Sequence, residues 1–168
     1  DVGAADVCVA HHRDDAVETL LMNLLRGTGI HGLTGIRPRN GHIVRPLLDV
    51  SRQEIVEYLD SIGQEYVTDS SNLVDDVLRN KLRLDILPLL KTINPKATEN
   101  ICRTAQRMAE AEIVFNVAME SAKKRVCPQG PLDFEHGGSL DIAALQQEPS
   151  PEYLLFEILS PLGFSPDS

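Results

Sequence analysis

The stretch Val7-Cys8-Val9-Ala10-His11-His12-Arg13-Asp14-Asp15-Ala16-Val17-Glu18-Thr19 decides the fold. Its first part, residues 7–10, is short, apolar and partly β-branched, with polar residues on both sides. That is the pattern of a buried strand in a parallel sheet. From residue 14 to 26 the period becomes helical. Ala16, Val17, Leu20, Leu21, Leu24 and Leu25 fall on one side, and Asp14, Asp15, Glu18, Thr19 and Arg26 on the other. A strand that hands over to a helix through a dense polar cluster marks the edge where open α/β sheets bind ligands.

Asp14 and Glu18 are four residues apart and Asp15 and Glu18 three, so the spacing puts all three carboxylates on one helical face. Carboxylates held this close repel one another unless a cation or a basic group answers them. Oxygen-only ligands suit Mg²⁺, which bridges protein carboxylate to nucleotide phosphate and neutralises charge there. His12 stands beside them, placed to hydrogen-bond a phosphate or to move a proton. A purely structural explanation competes. Acidic residues in the first turn are favoured by the helix dipole by ~0.3–1 kcal/mol each, and a polar face on a surface helix needs no ligand. Spacing alone leaves the two open. A zinc site from Cys8, His11 and His12 is the weaker alternative, because neighbours on a strand point to opposite faces and no second ligand pair follows.

Downstream, Gly27, Gly29, Gly32 and Gly35 punctuate a long loop. A second strand is expected at 42–45, closed by Pro46. Ser51 with Glu54 three residues on forms a capping-box pattern, and Gly63 ends the helix that follows. Strand, helix, strand, helix in succession gives an α/β fold class. Asp69-Ser70-Ser71-Asn72 reads as a turn. Beyond it the chain is helical: one helix over 79–90, then a long one opened by Asn94-Pro95 with Pro at its first position. In that helix Ile101, Ala105, Met108, Phe115, Met119 and Ala122 step by threes and fours, and Glu112 breaks the series. A loop with a short strand is expected over 127–138 and a helix over 151–162. The boundary is drawn near residue 92, dividing 1–92 from 93–168.

With 168 residues, 42% of them hydrophobic but only 4% aromatic, the core must be mainly aliphatic. The formal net charge of −9 argues against a general nucleic-acid coat while leaving room for a local basic strip. Cys8, Cys102 and Cys127 form no disulfide framework or CxxC pair, and reduced thiols place the protein in the cytoplasm. No apolar run reaches the ~20 residues of a membrane span. Both ends read as cut, with a strand almost at the first residue and a helix almost at the last.

Taken together, the string residues 10–15, Glu18-Thr19 and Leu24-Leu25-Arg26-Gly27-Thr28-Gly29-Ile30-His31-Gly32-Leu33 resembles the second signature of the PP-loop ATP pyrophosphatases. Ile43-Val44-Arg45-Pro46-Leu47-Leu48, Asp69-Ser70-Ser71-Asn72, Arg79-Asn80-Lys81-Leu82-Arg83 and Leu87-Pro88-Leu89-Leu90 follow in register. Over roughly residues 5 to 120 the order resembles the tRNA(Ile)-lysidine synthetase family. The resemblance implies the C-terminal part of a PP-loop parallel-sheet domain followed by a mostly helical region. It implies an enzyme that transfers AMP from ATP to the C2 oxygen of the wobble cytidine of tRNA(Ile), after which the amine of L-lysine displaces AMP. ATP and Mg²⁺ are the implied cofactors, tRNA(Ile) and L-lysine the partners, with no membrane and with room for a homodimer. By motif match His12, Asp14, Asp15 and Glu18 are the catalytic set. Thr19, Arg26, Gly27, Arg45, Arg79, Asn80 and Arg83 contact nucleotide or substrate, and Asp15 is the Mg²⁺ ligand. Which carboxylate meets metal and which meets lysine stays open.

The family's first motif, a Ser-Gly-Gly-x-Asp-Ser loop whose backbone N–H groups cradle pyrophosphate, has no counterpart here. This stretch alone is therefore expected to bind ATP poorly. Ala16 stands where relatives commonly have Gln, and Val77-Leu78 where an aromatic is frequent. Arg79 and Arg83, one turn apart, face phosphates together in this reading, or else form a solvated face paired with Asp75, Asp76 and Asp85. Lys123-Lys124-Arg125 is a candidate tRNA-backbone contact, or a helix end whose cations complement the dipole. A tRNA thiolase shares the His-His-x-Asp-Asp string, but the iron–sulfur members need closely placed cysteines. A two-metal phosphohydrolase needs converging ligands that His31, His42 and His136 do not supply. A non-catalytic helical tRNA-binding module is the remaining alternative.

Overall fold

The computed structural model describes residues 3, 5–67, 77–133 and 137–164. The turn expected at Asp69-Ser70-Ser71-Asn72, with Asp75, Asp76 and His136, lies outside the described residues. Residues 1–112 and 113–168 form two compact units.

In the first unit the β-branched start of the deciding stretch becomes β1 (Val7–Cys8), parallel to β3 (Ile43–Val44). The N–H groups of Val7 and Val9 donate to the carbonyls of His42 and Val44 at 2.8 and 2.9 Å. This parallel pairing is the α/β arrangement expected. It is extended by an unexpected strand, β2 (Arg39–Asn40), antiparallel to β3, giving the order β1-β3-β2. Polar Arg39-Asn40 carries no strand signal of its own; Gly41, at φ 56°, turns it back onto β3. The burial expected of β1 needs correction: Val7 is 55% exposed. The partner strand satisfies the backbone but does not enclose the side chains.

Helix α1 (Arg13–Leu25) starts where its N-terminal groups find partners. The backbone N–H of His12 donates to the Asp15 carboxylate at 3.0 Å, and that of Arg13 to the Val50 carbonyl at 2.9 Å. Val17 and Leu20 are buried; enclosing Val17 alone contributes about 1.5–3 kcal/mol. The glycine-punctuated loop contains a single helical turn, α2 (Ile30–Leu33). It is held by Asn23 Nδ2 donating to the Gly32 carbonyl at 3.0 Å and by the Thr34 hydroxyl donating to the His31 carbonyl at 2.8 Å. Gly35 sits at φ 66° with open contact to Ala105. Gly35→Ala is expected to cost about 1–2 kcal/mol through its backbone conformation alone, read as a lower urea midpoint.

Helix α3 (Arg52–Ser61) carries the expected capping box. The Glu54 N–H donates to the Ser51 hydroxyl at 3.1 Å, and the Ser51 N–H donates to the Glu54 carboxylate at 2.8 Å. The helix expected over 79–90 forms as α4 (Val77–Lys81) and α5 (Leu87–Ile93), joined by a π-helical turn at Leu82–Ile86. Pro88 gives a physical reason. It has no N–H to return to the preceding turn, and its ring crowds the carbonyl four residues back; widening that turn relieves both demands. Asn94 caps the long helix as expected, its Oδ1 accepting from the Lys96 N–H at 2.9 Å, but α6 (Ala97–Val126) begins two residues beyond Pro95.

In the second unit, the last turns of α6 pack with α7 (Ile142–Gln147) and α8 (Pro151–Leu159) around Ala122, Val126, Cys127, Leu145, Leu154 and Ile158. A 3₁₀ turn, Ser160–Leu162, completes the helix expected over 151–162. The short strand expected in the loop over 127–138 is a single antiparallel bridge between Asp133 and Gly137. Phe115 and Tyr153 meet edge to face at 5.9 Å. Arg125 is bound to Glu148 through two hydrogen bonds of 2.6 and 2.8 Å, and Lys123 lies 3.6 Å from Glu120. Two of the three cations in Lys123-Lys124-Arg125 are thus paired with carboxylates of the chain. No helix among the described residues is long and apolar enough to cross a membrane.

Candidate functional site

A cleft of about 720 Å³ opens at the carboxyl end of β1. One wall is the start of α1, with His12, Arg13, Asp14 and Glu18; another is the start of α3, with Ser51, Arg52 and Gln53. Arg83, Pro88 and Lys91 line it from the α4–α5 run, and Thr98 and Glu99 from α6. Two helix N-termini therefore face one space, each offering N–H groups and the positive end of a dipole.

Glu18 is fully buried, and two arginines answer it. Arg83 donates from Nε and Nη2 to its two oxygens at 2.7 and 2.9 Å, a bidentate pair. Arg79 Nε lies 3.4 Å from Glu18 Oε2, and Arg83 Nη2 reaches Asp15 Oδ1 at 3.5 Å. The bond to Glu18 holds the Arg83 guanidinium still more firmly protonated than usual, against the opposing effect of burial. The π turn that carries Arg83 thus sets its guanidinium over α1, as local widenings of helices do at functional sites.

The repulsion foreseen among the three carboxylates is resolved mainly by protein groups. Asp14 Oδ2 accepts from the Arg52 backbone N–H at 2.9 Å, so a carboxylate on α1 caps α3. Asp15 Oδ2 accepts from the His12 N–H. The half-buried His12 ring is set between them; its Nδ1, 3.4 Å from Asp15 Oδ2 and 3.8 Å from Asp14 Oδ2, is buried and has no hydrogen-bond partner among the described residues. Arg13 is spent on the scaffold, donating to the Asp49 carbonyl and lying 3.4 Å from Glu54.

The structure brings His12, Asp14, Asp15, Glu18, Arg79 and Arg83 together. Arg79 and Arg83 do face one target jointly, and it is Glu18. Arg45 reaches the strand end instead, donating from Nε to His11 Nδ1 at 3.1 Å and from Nη1 to the Arg37 carbonyl at 3.0 Å. Thr19 sits half-buried on α1, and Asn80 lies on α4 before the π turn. Arg26 and Gly27 cap the far end of α1, about 18 Å from Asp14 at 1.5 Å per residue. They do not line the cleft. Arg52 and Lys91 do, and sequence reasoning passed over both: Arg52 carried only the mark of a first helical residue, and Lys91 only that of a helix end.

Among the described residues no group of three or more His, Cys, Asp or Glu is placed to hold a metal. Mg²⁺ needs fewer protein ligands, taking one or two carboxylates and completing its shell with water and phosphate. Asp14 lines the cleft and gives only Oδ2 to Arg52, leaving Oδ1. Asp15 has both oxygens engaged.

A parallel β1–β3 pair, a polar cluster at its carboxyl end and an arginine-clamped α1 define an α/β domain with a polar cleft, and the chain belongs to the PP-loop domain family, whose model matches residues 2–90. It is 49% identical over 166 residues to the tRNA(Ile)-lysidine synthase of Bacteroides thetaiotaomicron, covering 98% of this chain and 37% of that protein. It is 48% identical to that of Parabacteroides distasonis, covering 98% and 36%, and 41% identical to one from Porphyromonas gingivalis, covering 96% and 34%. The chain spans about a third of the length of these relatives.

Proposed function

We propose that the protein carrying this chain ligates L-lysine to C2 of the wobble cytidine of tRNA(Ile), consuming ATP to AMP and diphosphate. The observation that carries this reading is the cleft at the end of β1, where Asp14 and His12 stand exposed to a ligand beside the Glu18–Arg83 clamp. In this reading the start of α1, the start of α3 and Arg83 receive the phosphates of ATP. Asp14 would hold Mg²⁺, which when bound would supply charge neutralisation on the phosphates. His12 holds a phosphate oxygen or takes a proton from the incoming amine. The cytidine C2 oxygen attacks the α-phosphorus and diphosphate leaves. The lysine amine then adds to C2, and AMP departs with that oxygen. Asp15 and Glu18 act from behind, fixing His12 and Arg83. The 1–92 and 93–168 division is retained as a functional proposal, the first part reacting and the second supporting tRNA.

The test is the fate of ATP. The full-length protein, given an isoleucine tRNA with a cytidine wobble base, is expected to release AMP and diphosphate, with turnover sustained only when lysine is present. Release of ADP and phosphate, or turnover indifferent to tRNA, defeats the reading.

A further inference from the structure

The residue that broke the apolar series of the long helix is not on a solvent face. Glu112, on α6, is 4% exposed. It accepts from His31 Nδ1 at 2.6 Å and from Arg37 Nη2 at 2.5 Å, so one buried carboxylate grips both ends of the segment that follows α1. His31 lies in α2; Arg37 lies two residues before β2. From Arg37 a hydrogen-bonded path leads to His11, the chain neighbour of the cleft residue His12. The Arg37 carbonyl accepts from Arg45 Nη1, and Arg45 Nε donates to His11 Nδ1. The Arg45 N–H is itself fixed to the Pro38 carbonyl at 2.8 Å.

A buried carboxylate is costly unless paired, and a lone structural anchor requires one partner in a rigid element. Here both partners lie in the segment punctuated by Gly27, Gly29, Gly32 and Gly35, whose glycines leave its backbone path open to several conformations. We propose that Glu112 is a positioning residue of the nucleotide site: through Arg37 it fixes the Pro38–Arg45 hydrogen bond and so aims Arg45 and His11 at the end of β1. This rests on the nucleotide reading of the cleft given above. Glu112 touches no substrate in it.

The test is a double-mutant cycle in the full-length protein with MgATP as titrant, together with amide exchange. Glu112→Gln keeps the volume and removes the charge. It is expected to weaken MgATP binding about tenfold, the range for members of one polar network. In an Arg45→Ala background the same substitution is expected to have no further effect. Exchange over residues 28–45, Arg45 included, is expected to quicken in Glu112→Gln while α3 and α8 keep their protection. Arg37→Ala, at an exposed side chain, is expected to reproduce both effects and serves if Glu112→Gln does not fold. Additive losses in affinity, or a lower melting temperature with unchanged exchange at 28–45, overturn the proposal. If the wild-type protein binds no MgATP, the function reading fails, and the exchange result alone then decides whether Glu112 positions Arg45.

Discussion

Arg83→Met is expected to lower the unfolding free energy by about 3 kcal/mol, whereas Glu18→Leu costs about 1 kcal/mol or less. The difference follows from which partner is left behind. Glu18 is wholly enclosed, and without Arg83 its carboxylate keeps only Arg79 at 3.4 Å. Arg83 is 40% exposed, so without Glu18 its guanidinium turns toward water. The figure for Arg83→Met is taken at the low end of the range for breaking a buried pair because of that exposure and because Arg79 remains. Urea unfolding at neutral pH measures both. Equal losses from the two substitutions mean that Glu18 is not the buried member. The same Arg83 variant is expected to lose nucleotide affinity, since its guanidinium forms part of the cleft wall.

Asp14→Asn is expected to lower kcat/KM for lysine ligation by about 10²–10³-fold while leaving the fold intact. The Asn carbonyl oxygen still accepts from the Arg52 N–H, so the cap that Asp14 places on α3 survives. What disappears is the negative charge facing a cation in the cleft. Asp15→Asn is expected to act differently, because both Asp15 oxygens hold protein groups: His12 and Arg83 lose their settings, and stability falls along with rate. Steady-state kinetics beside thermal melts of the two variants separate these outcomes. An Asp14→Asn protein with wild-type kcat/KM reduces Asp14 to a helix cap.

Much of this site was legible in the stretch 7–19, because strand period, helix period and acid spacing are local properties of the chain. The capping box at Ser51 was legible for the same reason. Three features were not. The two-residue strand Arg39–Asn40 owes its existence to β3 and to Gly41, not to its own propensities. The π turn that carries Arg83 depends on a conflict set by Pro88 within an otherwise regular helix. The partners of the carboxylates were the largest gap. Spacing announces that charges sit together but not what answers them, and Arg83 and Glu18 are 65 residues apart in sequence. Glu112 was visible as an interruption of the apolar pattern, but its partners His31 and Arg37 lie 81 and 75 residues away. Arg26 and Gly27 belong to the matching string, yet the rise of α1 carries them away from this cleft.

The central claim is that lysine joins a cytidine through the cleft bounded by α1, α3 and Arg83. Its most direct test is mass spectrometry of the nucleosides from an isoleucine tRNA incubated with ATP, lysine and the full-length protein, wild type beside Asp14→Asn. The account predicts a cytidine that has lost its C2 oxygen and gained lysine with the wild type, and at most a trace at matched times with Asp14→Asn. An unmodified wobble cytidine with the wild type, or equal modification by both proteins, contradicts it.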